Sequence, residues 1–158
     1  MIETILAKQL VKVLLDHQMT IATAESCTGG LVAATLINCP GASGVINESY
    51  ITYSNEAKHR ILGVEKEILG SYGAVSPETV AAMAEGVAKV AGADVGLATS
   101  GIAGPDGGSK EKPVGLVYIG YYCQGKVWVE ENHFKGNRNE VREQTVIKAL
   151  SSIYRHLK

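Results

Sequence analysis

Between Ala24 and Leu31 the chain changes its hydrophobic period from two residues to 3.6, with only six residues in which to turn. Thr20 to Ala24 alternate as a strand does, and Leu31 to Ile37, LVAATLI, continue as an apolar, alanine-rich helical segment. A strand that runs almost directly into a helix is the joint of a layered α/β fold. It confines Glu25, Ser26, Cys27, Thr28, Gly29 and Gly30 to a tight turn at the carboxyl end of a strand. The rest of the chain repeats the alternation. Leu6, Leu10, Val11, Val13, Leu14 and Leu15 predict a first helix ending near His17, and the β-rich run Val45 to Tyr53 predicts a strand. Ser54 or Asn55 then caps a short helix through Leu62. Ser76, Pro77 and Glu78 open a helix that Gly92 closes, and Asp94 to Gly101 read as a buried strand. A glycine-rich loop spans Gly101 to Pro113. Val114–Cys123 and Lys126–Phe134 form a hairpin through Gln124 and Gly125, and a last helix runs from Arg138 to His156. The expected fold is a three-layer α/β/α sandwich with a mixed, mostly parallel sheet and a C-terminal hairpin, in one domain over residues 1–158.

Several function classes are disfavoured at once. With 15 basic and 16 acidic residues, net charge -1 and 6% aromatics, no global field or stacking surface favours nucleic acid, and an anionic substrate must be bound by local groups. Cys27, Cys39 and Cys123 are odd in number and lack a CxxC pair, which argues against a disulfide framework or a zinc knuckle and fits a reducing cytoplasm. No apolar run approaches the ~20 residues of a membrane span, and the start, MIETILAKQL, does not read as a signal peptide. No metal-binding motif is present, although Glu25, Asp106 and Glu111 could in principle meet. No cofactor is expected.

Within the ESCTGG turn, Thr28 can serve simply as a helix cap while Gly29 and Gly30 let the chain turn. The same geometry can also carry chemistry, because the first free N–H groups of a helix face the carboxyl end of the strand and can hold an oxyanion. Cys27 would need a histidine base, and His17, His59, His133 and His156 form no motif with it. Ser26 can instead use a lysine, and YSNEAK supplies Tyr53 and Lys58. A free lysine titrates near ~10.4, so lowering it to ~7.5 costs about 4 kcal/mol; Lys58 can act as a base only in a desolvated pocket, with Tyr53 to relay the proton or hold the amine. GIAGPDGGSK matches neither a P-loop nor a dinucleotide fingerprint, and reads either as a long turn or as a cradle of backbone N–H groups. Arg138 and Arg142 read as surface residues or phosphate anchors.

Taken in order, TAESCTGG, YSNEAK, GAVSPETV, TSGIAGPDGGSKEKPVG and GNRNEVR closely resemble the C-terminal domain family of the competence/damage-inducible protein CinA, whose stand-alone members are nicotinamide-nucleotide amidohydrolases. The resemblance runs from about residue 4 to 156. It implies hydrolysis of the carboxamide of nicotinamide mononucleotide to nicotinate mononucleotide and ammonia, in pyridine-nucleotide recycling. The family's serine, tyrosine and lysine fall on Ser26, Tyr53 and Lys58, with backbone donors near Cys27, Thr28, Gly29 and Gly30 for the oxyanion. Asn55, Ser100, Gly101, Gly104, Gly107, Gly108 and Arg142 are the expected substrate-binding residues, and family analogy implies a homo-oligomer, a dimer or higher. Asn137 stands where many relatives are expected to carry an aspartate. Longer members also carry a nucleotide-hydrolysing domain, whose activity and metal dependence do not transfer to these residues. Two other readings share the motifs: a non-catalytic nucleotide-binding or regulatory module, and an amidase acting on a different small amide.

Overall fold

The computed structural model describes residues 1–158. Its elements, in chain order, are α1 (Ile2–Asp16), β1 (Ile21–Glu25), α2 (Leu31–Ile37), β2 (Tyr50–Ile51), α3 (Asn55–Leu62), α4 (Lys66–Tyr72), α5 (Pro77–Ala91), β3 (Val95–Gly101), β4 (Leu116–Cys123), β5 (Lys126–His133) and α6 (Arg138–Leu157). The five strands lie in the order β2-β1-β3-β4-β5. β1 pairs in parallel with β2 and β3, while β3–β4 and β4–β5 are antiparallel, so parallel pairing makes up half of the mixed sheet rather than most of it.

Strand parity sorts the helices into two outer layers. Ile21, Val95, Leu97, Val117, Ile119 and Tyr121 face a core built with α1, α2 and α6. Their neighbours Ala22, Ala24 and Ala98 face a smaller core built with α3, α4 and α5. The second face carries small residues because α5 lies almost on the sheet backbone. A Cβ at Gly96 would stand 2.0 Å from the Ala84 carbonyl oxygen, and one at Gly120 would stand 2.4 Å from that of Val80.

The local signals mostly act as the sequence indicates. Ser54 Oγ accepts the Ala57 N–H at 3.0 Å at the start of α3, and Ser76 caps α5 ahead of Pro77. Asn137 opens α6 in a capping box with Glu140, so it does the work expected of an aspartate there. Gln124 and Gly125 both take positive φ, as a two-residue hairpin turn requires. One local expectation fails, and one helix has no signal in the sequence. The strand over Val45–Tyr53 shrinks to Tyr50–Ile51, because Ser49 Oγ takes the Thr23 N–H that a strand carbonyl would otherwise accept. α4 was not foreseen; its first turn has no side-chain cap and Gly70 interrupts its pattern.

Gly96→Ala should cost about 3 kcal/mol in urea unfolding, since a backbone carbonyl cannot move aside as a side chain can. Gly63→Ala, at φ +73 with open space around it, should cost only about 1 kcal/mol.

Candidate active site

Ser26 is the first residue beyond β1. Its N–H extends the β1–β3 ladder to the Thr99 carbonyl at 3.0 Å, and its own carbonyl accepts the Gly29 N–H at 3.1 Å. Gly29 and Gly30 take φ +58 and +99, left-handed conformations that let the chain reverse into α2. Thr28 does not cap that helix. Gly30 occupies the cap position, and the capping group is the carboxylate of Glu25, reaching up from β1. Fully buried, Glu25 accepts the backbone N–H groups of Gly30, Val32 and Ala33 at 3.2, 2.9 and 2.9 Å. It also accepts the hydroxyls of Thr28 and Thr23 at 2.6 and 2.9 Å. With its proton given to Glu25, Thr28 can only accept from Thr99, 2.8 Å away.

This arrangement narrows the oxyanion expectation. The N–H groups of Gly29 and Gly30 are already used, which leaves Cys27 and Thr28 without internal acceptors. Thr28 is wholly enclosed, whereas Cys27 borders the cleft. Glu25 is equally committed, so it does not join Asp106 and Glu111 in a metal-ligand cluster.

Lys58, on the first turn of α3, is fully buried and points at the serine. Its Nζ lies 3.1 Å from Ser26 Oγ, 2.8 Å from the Thr52 carbonyl and 3.2 Å from the Tyr53 carbonyl. None of the chain's five ion pairs includes it. Burial without a counter-ion pushes its ammonium down to about 8, with the nearby Cys27 opposing the shift. Two of its three partners are carbonyls, which only accept. A neutral amine therefore spends both protons on Thr52 and Tyr53 and must aim its lone pair at Ser26 Oγ. At pH 7 about one molecule in ten carries that form. The Cys27 thiol goes the other way: burial pushes it up to about 11, so it remains protonated and is a poor nucleophile.

Tyr53 departs from expectation. Its backbone, not its phenol, contacts Lys58; the phenol is exposed and accepts a hydrogen bond from Arg138 Nη2 at 3.3 Å. Arg142 is also placed differently. Its Nε and Nη2 donate to the carbonyls of Cys27 and Thr28, each at 3.0 Å, and it does not border the cleft. One helical turn earlier, Arg138 does border it, and bonds the Gly104 carbonyl at 2.7 Å. The cleft, about 270 Å³, has Ser26, Cys27, Tyr53 and Lys58 on one side. Ala74, Val75 and the loop residues Ser100, Gly101, Gly104, Asp106 and Gly107 line it as well. Gly108 does not border it, and Asn55 lines a separate groove between α3 and α4.

The CinA C-terminal domain profile matches residues 3–157. The chain belongs to the CinA C-terminal domain family. A competence-damage inducible protein of Clostridium novyi is 57% identical over 98% of this chain, and one of Clostridium beijerinckii is 56% identical over 92%. The chain spans only 37% and 36% of the length of those two relatives. Among solved structures, the competence/damage inducible protein CihA of Agrobacterium tumefaciens is 39% identical with a TM-score of 0.96, and the match covers 99% of this chain and 96% of that one. A CinA superfamily protein of Klebsiella pneumoniae is 33% identical with a TM-score of 0.95, covering 98% and 97%.

From the sequence Glu25 reads only as a possible metal ligand, although an acid directly before a strand-to-helix turn can reach the helix start. Arg138 and Arg142 lie one turn apart on one helix face, and only their distance from the turn shows which reaches the cleft.

The buried lysine should leave a pH signature in stability. Below pH 8 both folded and unfolded chains hold the proton, so the burial penalty is complete. Between about 8 and ~10.4 the unfolded chain binds more protons, so stability rises with pH. Relative to Lys58→Met, the wild type should gain about 2.5 kcal/mol between pH 7 and pH 10 in urea titrations; parallel curves would show that Lys58 is ordinarily solvated.

Proposed function

We propose that this domain is a serine amidase in which Lys58 is the general base for Ser26, and that its substrate is the carboxamide of nicotinamide mononucleotide. The observation that carries the reading is the 3.1 Å contact between Lys58 Nζ and Ser26 Oγ, with the amine's other two contacts both carbonyl acceptors. The substrate itself rests on the resemblance to the family's stand-alone members.

Neutral Lys58 takes the Ser26 proton as Oγ attacks the carboxamide carbon. The oxygen of the tetrahedral intermediate is met by backbone N–H groups, with Cys27 the donor of that turn that borders the cleft. The Lys58 ammonium returns the proton to the leaving nitrogen, which departs as ammonia. Lys58 then deprotonates a water that attacks the acyl-serine, releasing the carboxylate and restoring Ser26. Arg138, at the cleft mouth, is placed to attract an anionic part of the substrate, and Ser100 offers a hydroxyl with no internal partner.

Ammonia release from nicotinamide mononucleotide, measured with chelator present, tests the reading. Ser26→Ala and Lys58→Ala should lower kcat/KM by at least ~1,000-fold, while Cys27→Ala retains activity. Wild-type kcat/KM should climb with pH to a plateau, with a midpoint near 8. Arg138→Gln should act mainly by raising KM. Saturable binding of the nucleotide without ammonia release would favour a binding module instead.

A further inference from the structure

We propose that Arg142 is a positioning residue that, by holding the turn after Ser26, sets the direction of the Cys27 N–H that faces the substrate oxygen; this rests on the serine amidase reading above. Arg142 is half-buried, and no carboxylate lies within ion-pair distance of its guanidinium. It spends Nε and Nη2 on two successive carbonyls, those of Cys27 and Thr28, each at 3.0 Å. Nη2 also lies close against Gly29, where a Cβ would stand 3.4 Å away.

Peptide units are planar and trans, so each carbonyl points opposite to the N–H of the residue that follows. Drawing the Cys27 carbonyl toward α6 therefore turns the Thr28 N–H away from α6. Drawing the Thr28 carbonyl the same way orients the Gly29 N–H, which closes on the Ser26 carbonyl at 3.1 Å. That last bond fixes the peptide unit carrying the Cys27 N–H, which has no acceptor of its own and belongs to a residue at the cleft. One guanidinium thus orients three consecutive peptide units. Its charge also polarises them through their carbonyls, which strengthens the donors on their far ends. Glu25 holds the other side of the turn by the N–H groups of Gly30, Val32 and Ala33, so the turn is fixed from both directions. A lysine at 142 would keep the charge but lose the planar fork needed for two carbonyls.

A small fluorophosphonate tests this without assuming any amide substrate. Ser26 Oγ forms a bond to phosphorus, the P–F bond breaks, fluoride leaves, and the serine proton passes to Lys58. Wild type should label at Ser26 and Ser26→Ala should not. Arg142→Lys should label roughly 10- to 100-fold more slowly, with its melting temperature and the midpoint of its pH–rate profile unchanged, because Lys58 is untouched. Guanidinium ion should restore part of the rate to Arg142→Ala and none to Lys58→Ala. Labelling of Arg142→Lys at the wild-type rate would overturn the proposal, as would a displaced pH midpoint, which would place the effect on Lys58. An unreactive wild type would overturn the serine nucleophile as well. A wild type that labels but releases no ammonia from the nucleotide would overturn only the choice of substrate, leaving the comparison at Arg142 valid.

Discussion

The carboxylate of Glu25 is the contact on which the rest of the site depends. A helix that begins five residues after its serine needs its first N–H groups satisfied; the Thr28 carbonyl takes that of Leu31, and no side chain between Ser26 and Gly30 takes those of Val32 and Ala33. Glu25 meets that need from inside the sheet, with five donors on two oxygens. Such a set accommodates a buried carboxylate, and removing it would take that acceptor from three N–H groups and two hydroxyls, most of them buried. The serine's place above the sheet follows from it: Ser26 is held by Thr99 on one side, and by a turn that Glu25 and Arg142 pin from opposite directions on the other.

Lys58 represents the opposite choice. Glu25 is buried with every oxygen matched, whereas Lys58 is buried with no carboxylate beside it. Its burial favours the neutral amine, and the carbonyls of Thr52 and Tyr53 decide which way the amine's lone pair faces. Stability is given up at neutral pH to hold an amine beside a hydroxyl. The phenol of Tyr53 stands outside this exchange, at the rim with Arg138.

Elements whose cause is local were readable in the sequence. Ser76-Pro77, Ser54, the Gln124-Gly125 turn and the apolar spacing of α1 each act within a few residues of themselves, and each holds in the structure. What failed depends on partners far along the chain. The strand expected over Val45–Tyr53 is cut short where Ser49 Oγ accepts the Thr23 N–H, and β-propensity carries no record of it. Ser26 and Lys58 were legible through their motifs. The separate duties of Arg138 and Arg142, and the role of Glu25, required the distances between segments.

The site is assembled from five stretches that are remote in sequence, and the bond from Arg142 to Cys27 closes a separation of 115 residues. Contacts of that range form only after most of the intervening chain has found its place. A nascent or partly opened chain that lacks α6 has Ser26 and Lys58 but not the clamp that orders the turn between them. In the mechanism proposed above, the serine therefore gains its ordered turn only once the last helix has docked.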